Sequence, residues 1–147
     1  MHHLVRRFPG LASSSFTVTS SRTRDYNCFA WAVYRTDVWI SPVLYDPIQD
    51  LYTWPAGAAR EDTLEAWSAA LAAFGFEPCA TADLEPRFEK VAVYASAETP
   101  THMARQLATG RWTSKLGKLE DVEHDLHALA GSGYGEVALI LRRPSPR

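Results

Sequence analysis

Two residues of this chain, a cysteine and a histidine, have the chemistry needed for acyl transfer. Cys28 follows Asn27 and precedes the apolar run 29–33. Asparagine is a favoured helix N-cap, so Cys28 falls on the first helical residue, where the helix dipole favours a thiolate. Hydrolases hold a nucleophilic cysteine in this way. The alternative is a buried thiol that packs like a small apolar side chain.

A nucleophilic thiol needs a base within hydrogen-bond reach. His102 is the only histidine between residues 4 and 123, and it begins a predicted strand directly after the turn at Pro100. Strand ends commonly face a cleft, although a surface histidine beside a hairpin turn is the ordinary alternative. We therefore predict Cys28 as the nucleophile and His102 as the general base.

A third polar group must orient the base, and the sequence leaves three candidates open. Thr113 and Ser114 follow His102 by one predicted hairpin, so either hydroxyl can lie beside the imidazole. His124 lies off the apolar stripe of a predicted helix, as does His127, which we expect to be an ordinary surface residue. Ser114, Thr113 and His124 remain the alternatives.

The histidines and cysteine do not have the spacing of a metal site. The only close pair is His124-x-x-His127, and neither C-x-x-C nor H-E-x-x-H occurs. The glycines between residues 131 and 135 follow a predicted helix and precede a strand, the reverse of a phosphate-binding loop. We predict no metal and no cofactor.

Aromatic and polar residues near these groups are the predicted substrate contacts. The segment 38–55 is rich in aromatic residues and proline, and a loop of this length tends to be functional. Backbone N–H groups at the head of the first helix, with the Tyr26 hydroxyl, are candidates for holding an oxyanion. The predicted contacts are Tyr26, Asn27, Trp39, Trp54, Trp112 and Lys115, although a solvated lysine is the default for the last.

Hydrophobic periodicity predicts the elements that must position these residues. Helices come first and an antiparallel sheet with one late helix follows, which defines the α+β class. The predicted helices cover about 28–35, 61–74 and 119–130, the last on a stripe of Leu119, Val122, Leu126 and Leu129. The predicted strands cover 16–19, 89–95, 101–107, 111–115 and 136–142, with 1–24 otherwise an irregular lead-in.

Composition narrows the possible classes of protein. The 147 residues are 46% hydrophobic and 22% charged, with a formal charge of −2, which is typical of one folded domain. No basic excess favours nucleic acid or an anionic membrane, and no apolar run approaches a membrane span. Without a recognisable signal peptide, we expect a cytoplasmic protein in which Cys28 and Cys79 are free thiols.

The order of these features resembles known cysteine hydrolases. Asn27-Cys28 opening a buried helix, and then a histidine at a strand start, resembles the papain-like NlpC/P60 and CHAP-type enzymes over about residues 25–117. The runs 26–32, 101–106 and 112–117, with His124 and Tyr134-Gly135, are more specifically similar to a family of small bacterial domains of unknown function. That second resemblance covers most of the chain but implies no activity.

The first resemblance implies a papain-like domain over 25–143, with a lead-in at 1–24 and a tail at 144–147. It implies Cys28 as nucleophile, His102 as base and an amide or peptide substrate. The chain departs from that pattern because no Asn, Asp or His begins the strand after His102. The rival interpretation is a non-catalytic binding module of the same fold, such as a partner of a toxin or effector.

Overall fold

The computed structural model describes residues 2–13, 15–42, 52–131 and 133–146, with Ser13 as backbone only. Three α-helices and nine strands are present there. The helices are α1 (His3–Arg7), α2 (Cys28–Ala32) and α3 (Leu64–Ala73), with 3₁₀ turns at Pro9–Ser13 and Leu126–Leu129. The strands are β1 (Thr17–Ser20), β2 (Trp39–Ile40), β3 (Tyr52–Thr53), β4 (Glu77–Pro78), β5 (Phe88–Ser96), β6 (Thr99–Gln106), β7 (Trp112–Lys115), β8 (Asp121–His124) and β9 (Glu136–Pro144).

Seven strands form one antiparallel sheet in the order β1-β8-β7-β6-β5-β9-β4. The consecutive strands β5, β6 and β7 are neighbours, which confirms the predicted meander. β2 and β3 form a separate short parallel pair. The protein is therefore an α+β domain with few helices, built on a seven-stranded antiparallel sheet.

The sheet separates two cores because successive side chains on a strand point to opposite faces. Val93 and Met103 pack on one face with α2 and α3, and we call this the helix face. Ala92, Tyr94 and Ala104 pack on the other face with the N-terminal segment and the turn Leu126–Leu129, and we call this the back face. The buried hydrophobic side chains on β5 to β8 each belong to one of these two cores.

The N-terminal segment, predicted to be largely irregular, is a packed part of the back face. Leu4 and Leu11 are 0% and 1% exposed, and Phe8 lies beside them. Gly10 lies so close to the 3₁₀ turn that a Cβ would be 2.2 Å from the Ala128 carbonyl oxygen. Short apolar helices such as α1 gain their stability from this packing rather than from intrinsic propensity, which is why periodicity did not reveal them.

The predicted helix over 119–130 is wrong. Residues 121–124 form β8, and only Leu126–Leu129 is helical, as a 3₁₀ turn. The hairpin turn at Leu116, closed by Leu116 N–H to Glu120 O and Leu119 N–H to Leu116 O, sends the chain back along β7. Pairing with both β1 and β7 outweighs the helical spacing of the apolar residues, because it satisfies the backbone in a sheet.

The other predicted helices are present, with different ends. α2 ends at Ala32, and Tyr34 follows with φ +68°, so this helix is shorter than predicted. α3 confirms the second helix, and the Thr63 hydroxyl caps it by accepting the Ala66 N–H. The aromatic segment 38–55 contains β2 and β3, and its part from 43 to 51 lies outside the described residues.

None of the helices in the described part of the chain has the length and apolar character needed to cross a membrane.

Gly135 offers a test of how the loop before β9 is fixed. It has φ +76°, and a Cβ there would be 2.1 Å from the Ala95 carbonyl oxygen. We expect Gly135→Ala to lower the free energy of unfolding by about 2–4 kcal/mol, because backbone strain and overpacking add. Gly133→Ala is the matched control, since nothing lies within 4 Å of its Cβ position. Urea denaturation measures both variants, and equal stabilities would contradict this packing.

Candidate functional site

Asn27 fixes the start of the helix that carries Cys28. Its Oδ1 accepts the Ala30 N–H and the Ile40 N–H, each at 3.1 Å, and its Nδ2 donates to the Ile40 carbonyl at 2.8 Å. The predicted N-cap is therefore confirmed, and the same side chain joins α2 to β2. These three hydrogen bonds use both lone pairs of Asn27 Oδ1 and one N–H of Nδ2, so the side chain holds the start of α2 in place.

The Cys28 thiol is protonated at neutral pH. Burial raises its pKa to about 11, although the backbone N–H groups of Met103 and Phe29 and the Lys115 ammonium lower it. The residue as a whole is half-buried. Loss of hydration therefore outweighs the N-terminus of this five-residue helix, which the sequence suggested would favour a thiolate.

Three side chains on the back face form a buried chain of hydrogen bonds. His102 Nε2 lies 2.9 Å from Ser114 Oγ, and Ser114 Oγ lies 2.7 Å from His124 Nε2. His124 Nδ1 lies 2.7 Å from the Asp125 carbonyl oxygen. All three side chains are 0% exposed. We call His102, Ser114 and His124 the relay.

The Asp125 carbonyl determines which atom donates in each hydrogen bond of the relay. A carbonyl oxygen only accepts, so His124 Nδ1 carries a proton. Neutral His124 then accepts at Nε2, Ser114 donates to it, and Ser114 Oγ accepts the N–H of His102 Nε2. The tautomer of His102 is thereby set, with the proton on Nε2 and a lone pair on Nδ1.

Both imidazoles are neutral at physiological pH. Burial lowers the pKa of His124 to about 4, despite the hydrogen bond to the Asp125 carbonyl. Burial, followed by the charge of His124, holds the pKa of His102 well below its usual value of 6.5. The assignment of protons above therefore applies throughout the neutral range.

The Nδ1 atom of His102 is buried and has no hydrogen-bond partner in the described part of the chain. His102 lies directly opposite Tyr94 across the strands, on the back face, whereas Cys28 packs on the helix face. The Met103 N–H nevertheless acts on the Cys28 sulfur, so the thiol lies beside the residue that follows His102. Cys28 therefore lies beside Met103, on the other face of the sheet from the His102 imidazole, and no hydrogen bond joins the thiol to that ring.

Lys115 is a buried structural cation. Its Nζ donates to the carbonyls of Thr23 at 2.9 Å and of Gly117 and Leu119 at 2.6 Å each. Its ammonium also lies 5.4 Å from the centroid of the Tyr26 ring. All three donors are occupied, so a substrate carboxylate would have to displace one of these bonds.

Tyr26 is likewise held by the protein. Its hydroxyl donates to Asp121 Oδ2 at 2.8 Å, and the same oxygen accepts the Ser20 hydroxyl. Burial, with the hydrogen bond to Asp121, raises the pKa of Tyr26. This hydroxyl donates to Asp121, so it is not available to hold the oxyanion that the sequence suggested for it.

The three predicted substrate-contacting tryptophans lie in different places. Trp112 is 3% exposed in the back-face core, and Trp54 is 7% exposed in the helix-face core with its indole N–H on the Ala59 carbonyl. Trp39 is half-buried, stacks on Tyr52 at 5.5 Å and donates to the Arg24 carbonyl. Of the three, only Trp39 keeps substantial exposure, and it precedes Ile40, whose backbone hydrogen-bonds Asn27.

Two residues of the site received no role in it from the sequence, although Tyr134 was among the residues that carry the family resemblance. Asp121 was assigned to a helix and so could not be placed beside Tyr26. Tyr134 lies parallel to the His102 ring, with centroids 4.1 Å apart and planes 4° apart. The glycines on both sides of Tyr134 were the sequence signal that could have identified it, because they indicate a tight loop that carries one large side chain.

Within the described residues, no three His, Cys, Asp or Glu side chains gather into a group that could hold a metal ion.

An α+β domain with a thiol beside a buried His–Ser–His relay is the class of protein that these observations define. The chain belongs to the family described as a domain of unknown function (DUF7689), whose model matches residues 17–142. That match contains Cys28 and the whole relay. Searches of curated proteins and of solved structures found no match.

The relay predicts how stability depends on pH. The unfolded chain binds protons on histidine below about pH 6.5, whereas folded His124 stays neutral to about pH 4, so the free energy of unfolding falls as pH falls through this window. His124 alone accounts for up to about 3 kcal/mol of that loss. Urea denaturation from pH 7.5 to 4.5 measures it.

His124→Gln should flatten this pH dependence, while His127→Gln, which removes an exposed histidine, should leave it unchanged. Equal slopes in the two variants would show that His124 takes up its proton as readily in the folded protein as in the unfolded chain.

Proposed function

We propose that this protein is a papain-like cysteine hydrolase that acts on an amide or thioester-type acyl bond. Cys28 is the nucleophile and His102 is the general base. Ser114 and His124 together take the place of the single orienting residue of related enzymes. The substrate is a small amide or a peptide.

One observation carries this proposal: the relay leaves a buried lone pair on His102 Nδ1 that nothing in the described structure uses. A buried acceptor without a partner costs about 1–3 kcal/mol. Such groups in a folded protein call for an explanation, and a catalytic role is one of the recognised ones. A base that must accept a proton from a thiol needs this free lone pair on this nitrogen.

The surroundings of the thiol support a general-base mechanism. A thiol with a pKa of about 11 and a neutral imidazole rest as an uncharged pair, so no thiolate–imidazolium pair is stored before substrate binds. In the attack, the S–H proton moves to His102 Nδ1 while the sulfur bonds to the carbonyl carbon and the C=O electrons move to oxygen. The backbone N–H groups at the head of α2 would stabilise that oxyanion.

Collapse of the tetrahedral intermediate then releases the leaving group. The proton on His102 Nδ1 passes to the departing nitrogen or sulfur, the C=O bond re-forms, and a thioester on Cys28 remains. Water attacks this thioester with His102 again accepting a proton, and the acid product leaves with the thiol restored. Throughout, the Nε2–H donates to Ser114, so the imidazolium that forms transiently keeps a hydrogen-bonded partner.

The thiol and the imidazole pack on opposite faces of the sheet, so the proposed mechanism requires them to meet when substrate binds. The ladder between β6 and β7 pairs Arg105 with Thr113 and Gln106 with Trp112, so it stops before His102. The paired register therefore does not extend to Met103, whose N–H acts on the sulfur. Catalytic hydrogen bonds are commonly long in ligand-free proteins and shorten when substrate binds.

A non-catalytic binding module of the same fold is the second candidate. The raised pKa of Cys28 and the missing hydrogen bond between its sulfur and His102 favour it. In that case the thiol is a packing residue and the relay only stabilises the back face. A protein partner, rather than a small amide, would then be the natural ligand.

The two candidates differ in whether Cys28 accepts an acyl group. We expect p-nitrophenyl acetate at pH 7.5 to acetylate Cys28 of the folded protein, as read by intact mass and peptide mapping. His102→Ala should slow this acylation about 100-fold, the ordinary contribution of a general base. Cys79→Ser and His127→Ala are the matched controls and should react as the wild type does.

The hydrolase loses its support if folded protein stays unacetylated while urea-unfolded protein labels at Cys28. The hydrolase proposal also loses its support if His102→Ala is acetylated at the wild-type rate, because the imidazole then does not activate the thiol.

A further inference from the structure

We infer that Tyr134 is a positioning residue for His102, a role that rests on the proposed function and extends it. Its ring covers the imidazole with centroids 4.1 Å apart and planes only 4° apart. Parallel stacking sets the plane of the imidazole, and the hydrogen bond to Ser114 then selects which nitrogen faces the relay. Both contacts are needed to direct the Nδ1 lone pair in one direction.

The loop that carries Tyr134 is attached to the strand that carries His102. The Thr101 hydroxyl donates to the Tyr134 carbonyl, and Thr101 directly precedes His102. The Gly131 N–H donates to the Gly135 carbonyl at 3.0 Å, which closes the loop. Gly135 fits against the backbone of Ala95 where no Cβ could be accommodated. The ring is therefore placed by main-chain contacts with β5 and β6.

The Tyr134 ring has a further aromatic contact. Phe8 packs against it with centroids 5.0 Å apart. The Tyr94 ring lies 5.3 Å from the His102 centroid, with its hydroxyl on the Leu126 carbonyl. His102 thus contacts two tyrosine rings, of which only Tyr134 is parallel to it.

Tyr134 also lies within electrostatic range of the nucleophile. Burial raises the pKa of its phenol, and the charge of a Cys28 thiolate raises it further. Tyr134 therefore contacts the proposed base and lies within electrostatic range of the proposed nucleophile.

Two variants separate the contribution of the Tyr134 ring from that of its hydroxyl. Tyr134→Phe keeps the stacking, whereas Tyr134→Leu keeps apolar volume but removes the aromatic face. We expect wild type and Tyr134→Phe to show one His102 tautomer, with the proton on Nε2, in ¹⁵N NMR of histidine-labelled protein. Tyr134→Leu should show a mixture of tautomers and acylate Cys28 about 10- to 100-fold more slowly, as expected for a misplaced catalytic group.

Leu129→Ala is the control for general loosening of the back face, because Leu129 is 0% exposed in the same core. It should lower stability and leave the tautomer and the acylation rate unchanged. If Tyr134→Leu does not fold, Thr101→Val, which removes the hydroxyl that holds the loop, should shift the tautomer in the same direction with a smaller loss of rate.

The outcomes distinguish this inference from the proposed function. A single tautomer in Tyr134→Leu, or the same mixture in Leu129→Ala, overturns the positioning role. A tautomer mixture confined to Tyr134→Leu, in a protein whose wild type never acylates Cys28, supports the positioning role and overturns the hydrolase.

Discussion

The hydrogen bond from His124 Nδ1 to the Asp125 carbonyl orders the rest of the site. It is a local bond, between neighbouring residues at the end of β8, and it has one possible direction. Through Ser114 it determines that His102 carries its proton on Nε2, two strands away. Without this carbonyl, the hydrogen bonds of the Ser114 hydroxyl and of both imidazoles could reverse, and the lone pair would not be confined to His102 Nδ1.

The relay depends in turn on the hairpin between β7 and β8. Ser114 and His124 meet because Ser114 pairs with Val122 and Trp112 pairs with His124, which puts both side chains on the back face. A shift of one residue would turn His124 to the helix face. Lys115 holds this hairpin through the carbonyls of Gly117 and Leu119, and it ties the same turn to Thr23, in the chain leading to Cys28.

Local signals predicted the parts of the fold that local chemistry determines. The Asn27 cap, α3 and the meander of β5 to β7 follow from capping, periodicity and short turns, and all three are present. β8 was assigned to a helix because Leu119, Val122, Leu126 and Leu129 have helical spacing. Its true state depends on pairing with β1 and β7, which are distant in the sequence or reached only through the turn.

The same limit applies to the site. Ser114 and His124 were separate candidates for one role, and they act in series because a strand register joins them. The occupied donors of Lys115 and the hydroxyl of Tyr26 depend on carbonyls and a carboxylate brought in by tertiary structure. Burial, which sequence patterns estimate poorly for single polar residues, decides the protonation of Cys28, His102 and His124.

Neutron diffraction from deuterium-exchanged crystals at neutral pH tests the central claim most directly, because it locates the exchangeable protons of the relay. The account predicts deuterium on His102 Nε2 and His124 Nδ1, on the Ser114 hydroxyl directed at His124, and none on His102 Nδ1. Deuterium on His102 Nδ1, with Nε2 bare and accepting from Ser114, would contradict it, because the relay would then run in the opposite direction and Nδ1 would have no free lone pair.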